Sequence, residues 1–459
     1  MTWLRRRSDR VVGAVFGVAT AFVLAGNLTR SFDFDEAVSV RRVISRGSPS
    51  FALTEVVEFN NHLLFSAWQS FWWGLGGEGE ARQRIFPVLY GALAVGLLAG
   101  WLTRRRGAWA GLAGGLVMLA NPMFVTQSRA VRGYSLSVLG ATVAIVCLLE
   151  YVRVADQPGR RRILLLAGHA IGIVVAMGTH GFAGAALGPI GVAALVLLGR
   201  VDPRVVISWL AAAAGLVLVY VWTIADLLDT ADQRGSRYLS FFGELVTQEL
   251  LGREPLSAAI IGGLVVFGVL TVVMRVEPQP ARAGTAVLVA GTLVVAQVWY
   301  VWQVAQPFDL YPRFFLSVLP LLAIAVAVAV AREPRLAVVL AVAVGLVFGE
   351  VRDVRDSELP LRDAGEVVVA ASGLGWEVCA VGADPIRLYT AGRPITEVRV
   401  PEDPSTVDFG ECGVFLRIGT WGRPLETPAA AHFAFADRIG PIGLYSQVPL
   451  SLLGVEPEA

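Results

Sequence analysis

IFPVLYGALAVGLLAGWLTRRRGAWAGLAGGLVMLANPMF, residues 85–124, holds two apolar runs with Arg104, Arg105 and Arg106 between them. Each run approaches the roughly 20 residues that a helix needs to cross a hydrocarbon core. An arginine cluster in a short connection marks the cytoplasmic side. The stretch therefore reads as span 84–102, a cytoplasmic turn, and span 108–124.

Outward from there the alternation repeats. Further spans are expected near 11–27, 133–151, 163–179, 183–199, 205–224, 257–274, 283–302, 314–331 and 336–350, with clusters at Arg5 to Arg7, Arg160 to Arg162, Arg200 with Arg204, Arg275 with Arg282, and Arg332 with Arg335 in every second loop. The expected architecture is an α-helical polytopic membrane protein of about eleven transmembrane helices with its N-terminus in the cytoplasm and its tail outside. The first span has no small-residue cleavage site after it and reads as an uncleaved anchor. Residues His62 to Leu75 are too few to span, and Trp68, Trp72 and Trp73 suit a helix lying in the outer interface.

Composition agrees. Of 459 residues, 55% are apolar and only 16% charged, too little polar surface for several soluble cores of that size. The net charge of +1 provides no basic field for nucleic acid. From Val351 the apolar runs shorten, and period-two patterns in WEVCAVG, ITEVRV and GVFLRIG read as strands. LRDAGEVVVAAS, DPIRLYTAG and TPAAAHFAFADRIG read as helices, so residues 1–350 form the membrane domain, with a long outer loop at 28–83, and 351–459 a small extracytoplasmic α/β domain. Cys379 and Cys412 fall in that domain, where an oxidising compartment allows a disulfide that spacing alone does not establish. Cys147 reads as packing.

The outer loops hold nearly all the acids and amides. The first opens with SFDFDEAVSV, residues 31–40, where Asp33 and Asp35 precede a helix start at Glu36. Helix-capping acids are one reading; a general base or a metal ligand at the bilayer surface is the other. Arg84, Arg129, Arg132 and Arg313 sit at outer span ends, against the positive-inside bias. They are either snorkelling anchors or a guanidinium clamp for phosphate. His180 in MGTHGF is a polar helix end at the same depth, and the position of Tyr134 suits an interface belt.

Five stretches, in order, resemble the bacterial GT-C glycosyltransferases of the type that includes protein O-mannosyltransferases (family 39) and the aminoarabinose transferase of lipid A. They are FDEAVSV (34–40), NNHLLFSAWQSFWWGLGGEGEARQRIFPVLYG (60–91), FVTQSRAVRGYSLSVLGAT (124–142), GTHGF (178–182) and YPRFFLSVLPLLA (311–323). The match departs at Leu63, where many members have Pro, and at Phe314, where Tyr is usual. There is no oligosaccharyltransferase Trp-Trp-Asp motif, which speaks against N-glycosylation.

The resemblance implies a GT-C fold in the bacterial inner membrane and transfer of a sugar from a polyprenyl-phosphate donor to a lipid, glycan or protein acceptor of the cell envelope. Carried over by position, Asp35 is the base with Glu36 beside it. Arg84, Arg129, Arg132 and Arg313 would hold the donor phosphate, and Asp33, Asn61, His62, Tyr134 and His180 would contact substrate. Membrane lipids are the surroundings and no nucleic acid is involved. No cofactor is expected; a divalent cation on Asp33, Asp35 and Glu36 is the alternative. A flippase of lipid-linked sugar is the rival, but it would place ionisable groups at mid-membrane; a silent assembly scaffold is the third reading.

Overall fold

Because lipid offers no hydrogen bonds, each apolar run must satisfy its backbone within itself, and it does so as a helix. The computed structural model describes residues 2–26, 28–55, 62–224, 255–275, 286, 291, 312–356, 361–381, 386–390, 392–397, 412–417, 435–439, 442–447 and 449–453. The expected span at 283–302, apart from residues 286 and 291, and the expected substrate contact Asn61 lie outside those residues. In chain order the helices are α1 (Thr2–Leu24), α2 (Phe34–Arg42), α3 (Pro49–Thr54), α4 (Leu63–Gly74), α5 (Glu80–Arg106), α6 (Ala108–Leu119), α7 (Pro122–Arg129), α8 (Tyr134–Val154), α9 (Arg160–Thr179), α10 (Gly184–Leu198), α11 (Pro203–Tyr220), α12 (Pro255–Arg275), α13 (Leu319–Arg332), α14 (Leu336–Asp356) and α15 (Leu361–Gly373). Six stretches among the described residues are long and apolar enough to cross a membrane, and α6 with α7, bent by 64°, makes a seventh. Leu256–Thr271 and Leu336–Val347 are shorter apolar helices. This is a multi-pass membrane protein.

Association of such helices cannot draw on the hydrophobic effect, so it relies on close backbone approach at small residues. Gly13 and Gly17 on α1 face Gly96 and Gly100 on α5: a Cβ at Gly13 would lie 2.9 Å from the Gly96 carbonyl oxygen, and one at Gly96 would lie 2.8 Å from that of Gly13. Helices α8 and α9 repeat the device with Gly140 and Gly172, where an added Cβ would come within 2.6 Å of the Ala176 and Ala144 nitrogens. The expected span 108–124 breaks at Asn121 and Pro122. Pro122 has no N–H to satisfy, and the Asn121 side chain accepts from the Phe124 amide at 2.8 Å.

At the arginine-bearing ends, Glu150 of α8 is 2% exposed, although it sits in an apolar run. It accepts from Trp101 Nε1 at 2.8 Å and pairs with Arg105 through both oxygens, with Arg161 at 3.2 Å and Arg153 at 3.3 Å beside it. One buried carboxylate thereby ties α5, α8 and α9 together. Left without these partners it would cost several kcal/mol.

The chain divides into two compact units: 1–28, 48–77 and 82–356, and 29–47, 78–81 and 357–459. Helix α2 therefore belongs with the C-terminal domain. That domain carries a five-stranded mixed sheet in the order β2-β1-β3-β5-β4, built from β1 (Val378–Val381), β2 (Thr396–Glu397), β3 (Val414–Arg417), β4 (Phe435–Ile439) and β5 (Ile442–Ser446). Strand β1 runs parallel to β2 and β3, while β5 lies antiparallel between β3 and β4. Cys379 and Cys412 are joined by a disulfide with a Cα separation of 5.7 Å. Closing that 33-residue loop constrains the unfolded chain by roughly 4 kcal/mol.

Two expectations for the tail are corrected. The stretch ending HFAFADRIG is not a helix through its last residues, because Phe435–Ile439 pairs with Ile442–Ser446 in a hairpin register of Ile439 opposite Ile442. Alanine-rich helix propensity is a weak prior, and cross-strand pairing overrides it. Within DPIRLYTAG, also expected as a helix, the described residues Ile386–Tyr389 form a 3-10 turn.

Replacing Gly172 with Leu should drive α8 and α9 apart and lower stability in detergent by about 1–3 kcal/mol or prevent folding. Gly345 has nothing within 4 Å of its added Cβ, so Gly345→Leu should leave the unfolding midpoint near wild type; thermal unfolding of the two variants side by side is the check.

Candidate functional site

Helix α2 begins with a capping box. Asp33 is the N-cap, its Oδ1 accepting from the Phe34 amide at 2.7 Å, while Glu36 Oε2 reaches back to the Asp33 amide at 2.8 Å. Such a box satisfies donors that a helix start otherwise leaves unpaired. Glu36 is 1% exposed and lies 3.9 Å from Arg30 Nη2. The box is made from Asp33 and Glu36. Asp35 sits between them at the second helical position, half-buried, where the helix dipole favours a carboxylate. Among the described residues no group of three or more His, Cys, Asp or Glu side chains converges as a metal set would.

In the membrane unit a second constellation forms where helices end. His62 is the N-cap position of α4, Tyr134 the first residue of α8, and His180 the C-cap of α9. Their rings gather within one turn of each other, with centroids 4.7 Å apart for His62 and Tyr134, 5.3 Å for His62 and His180, and 5.2 Å for Tyr134 and His180. Phe314 closes one side at 5.0 Å from His180 and stacks on Phe182 at 5.1 Å. Gly133 makes the approach feasible: a Cβ there would meet His62 Cβ at 2.8 Å and also strike Thr179.

Polar atoms in this cluster are buried and poorly satisfied. His62 Nδ1 is 3.2 Å from the Thr179 carbonyl oxygen. Among the described residues, His62 Nε2, His180 Nδ1, Tyr134 Oη, Thr179 Oγ1 and Ser135 Oγ have no hydrogen-bond partner, although each residue is under one-tenth exposed. Buried orphan groups of this kind cost free energy unless something fills them. Neither α4 nor α8 has a side-chain cap, so both also present N-terminal amides.

Electrostatics set the protonation states. Burial, then the positive charge of Arg132, pushes His62 well below the usual imidazole range, with His180 and Arg313 adding to the shift. Burial followed by Arg132 and Arg313 holds His180 down at about 3. Both rings are therefore neutral at pH 7 and offer hydrogen bonds without charge. The structure thus brings together His62, Tyr134, His180 and the fields of Arg132 and Arg313. Arg84, fully buried, donates to the Leu28 carbonyl at 2.9 Å, and Arg129 donates to that of Val23 at 2.6 Å, so both hold the end of α1. Thr179, Ser135, Gly133 and Phe182 were missed as individual site residues; each adjoins a residue that was singled out, and that adjacency was the available signal.

No family model matches the chain, and no curated protein matches it significantly. Solved structures do. ArnT from Cupriavidus metallidurans, determined in the apo state and bound to undecaprenyl phosphate, superimposes with a TM-score of 0.57 at 16% identity, covering 96% of this chain and 99% of that one. The chain shares the fold of ArnT. Arabinofuranosyltransferase AftD from Mycobacteria matches with a TM-score of 0.55 at 15% identity over 89% of this chain and 35% of its own. Archaeal oligosaccharyltransferase AglB from Archaeoglobus fulgidus, in complex with an inhibitory peptide and a dolichol-phosphate, gives 0.52 at 12% identity over 84% and 64%.

A histidine held neutral in the folded protein carries a stability consequence. The unfolded chain protonates His180 below about pH 6.5, whereas the folded chain resists until about 3. Stability should therefore fall as pH drops from 7.5 to 5.0, by roughly 2 kcal/mol for this group. His180→Gln should remove that part of the slope in denaturant unfolding measured in detergent at the two pH values.

Proposed function

We propose that the protein is a membrane glycosyltransferase that moves a sugar from a polyprenyl-phosphate donor to an acceptor outside the cytoplasm. The observation that carries this reading is the buried, unsatisfied cluster of His62, Tyr134, His180 and Thr179 under the charges of Arg132 and Arg313, in a fold shared with proteins solved with undecaprenyl phosphate and dolichol-phosphate. Neutral imidazoles, a phenol, guanidinium groups and uncapped helix starts are the donors that a phosphate takes. Arg132 and Arg313 stabilise the charge that grows on the leaving phosphate as the anomeric bond breaks. The two imidazoles and Tyr134 orient the phosphate oxygens, and the aromatic wall of Phe182 and Phe314 keeps water from the glycosyl centre. Asp35, by its place in the first-loop motif, is the base that takes the proton of the acceptor hydroxyl. Glu36 and Asp33 hold the helix that presents Asp35, and Arg84 and Arg129 fix the span end from which the loop departs. Donor and acceptor meet on the side away from the arginine-rich ends, and the Cys379–Cys412 disulfide supports an oxidising compartment for the C-terminal domain. The neutral-donor reading needs no metal at the phosphate.

The test is donor turnover in membranes carrying wild type, Asp35→Asn or Glu36→Gln, offered a panel of radiolabelled polyprenyl-phosphate sugars. Wild type should consume one of them, Asp35→Asn should lose about 10²–10⁴-fold of that rate, and Glu36→Gln should stay within about tenfold because Gln also closes a capping box. Lack of turnover by wild type for every donor, or an Asp35→Asn variant as fast as wild type, overturns the assignment. Label crossing the membrane with the sugar still attached would point to a flippase instead.

A further inference from the structure

The C-terminal domain has no function assigned by its sequence, yet it shares a compact unit with the segment that bears Asp35. Within that unit one hydroxyl joins two parts of the chain. Tyr389 Oη accepts from the Phe32 amide at 2.7 Å and donates to Glu80 Oε1 at 3.1 Å. The same Glu80 oxygen accepts from Arg362 Nη2 at 2.5 Å, and Arg362 also reaches the Thr29 carbonyl at 3.3 Å. Thr29 and Phe32 are thus held from one side by a single network, and the capping box of Asp33 and Glu36 follows at once. Few backbone torsions remain between the last fixed atom and Asp35.

Packing holds Tyr389 in place as well. The turn Ile386–Tyr389 packs against both α2 and α15. Gly365 of α15 lies directly beneath it: an added Cβ would strike the Tyr389 Cβ and come within 2.9 Å of the Tyr389 carbonyl oxygen. The Tyr389 backbone therefore sits as low on α15 as it does because residue 365 has no side chain.

We infer that Tyr389, seated on Gly365 and bridged to Glu80 and Arg362, is a positioning residue for the Asp35 base, so that the C-terminal domain sets the geometry of proton removal. This rests on the glycosyltransferase reading above. The physical warrant is that a base misplaced by about 1 Å can lose on the order of a hundredfold in rate. Tyr389→Phe keeps the ring and its packing but removes the one atom that both accepts from Phe32 and donates to Glu80. Gly365→Ala keeps the hydroxyl but lifts the residue that carries it.

The experiment is single-turnover kinetics at saturating donor on purified full-length protein, with donor-binding stoichiometry measured on the same samples. Tyr389→Phe and Gly365→Ala should each slow the single turnover by about ten- to a hundredfold with binding stoichiometry and donor affinity unchanged, while Gly373→Ala, in open space on the same helix, should match wild type. In the Asp35→Asn background Tyr389→Phe should cause no further loss, because it acts through the carboxylate. A merely structural role would lower the binding stoichiometry, or would reduce the residual rate of Asp35→Asn by the same factor as in wild type; either result overturns the inference. Wild-type rates for Tyr389→Phe, alongside a dead Asp35→Asn, would overturn it and leave the glycosyltransferase reading standing. No turnover by wild type would remove the reading on which it rests.

Discussion

A backbone in hydrocarbon must satisfy its own hydrogen bonds, and most of this structure follows from that. Spans are unbroken helices, and where one breaks, at Asn121 and Pro122, a side chain and an imino acid remove the deficit. Helices bound in this way have little to attract one another except close contact, which Gly13, Gly96, Gly140 and Gly172 provide. Irregular backbone is displaced to the helix ends. His62, Tyr134 and His180 are all first or last residues, or caps, of helices.

The two ends of the membrane unit solve burial of polar groups in opposite ways. At one, Glu150 is surrounded by Arg105, Arg153 and Arg161 and by the Trp101 indole, a saturated network that leaves its carboxylate nothing to offer a ligand. At the other, two imidazoles are kept uncharged by burial and by Arg132, and His62 Nε2 and His180 Nδ1 have no hydrogen-bond partner among the described residues. The first arrangement fixes helix against helix. The second leaves hydrogen-bonding capacity unused at a cost in stability.

Much of this was legible from 459 letters. The apolar helices between 84 and 220, the short helix α4 and the helix ends at which His62, Tyr134 and His180 sit stem from local properties: apolar length, arginine clusters and short motifs. What could not be read depends on partners far away in the chain. Glu150 looks like an isolated acid in an apolar run until Arg105 is 45 positions back, and His62 meets the Thr179 carbonyl across 117. The tail failed for a different reason. Alanines around 429–436 suit a helix, but Phe435–Ile439 has Ile442–Ser446 to pair with, and strand pairing is decided by the neighbour. The amide of Phe32 and the hydroxyl of Tyr389 are 357 positions apart, beyond any local pattern.

Adjacent acids are not interchangeable, and the first loop shows why. Asp33, Asp35 and Glu36 look alike as a cluster, and by alternation Asp33 and Asp35 would share a face on extended chain. The chain is helical from Phe34, so successive side chains turn by about 100°. Asp33 and Glu36, three apart, come to the same edge of the helix start and close on each other's backbone amides. That leaves Asp35 on a different bearing, in the positive field of the first turn, with the helix beneath it fixed by its two neighbours. The capping box thus fixes the backbone that carries the Asp35 carboxylate at the second helical position.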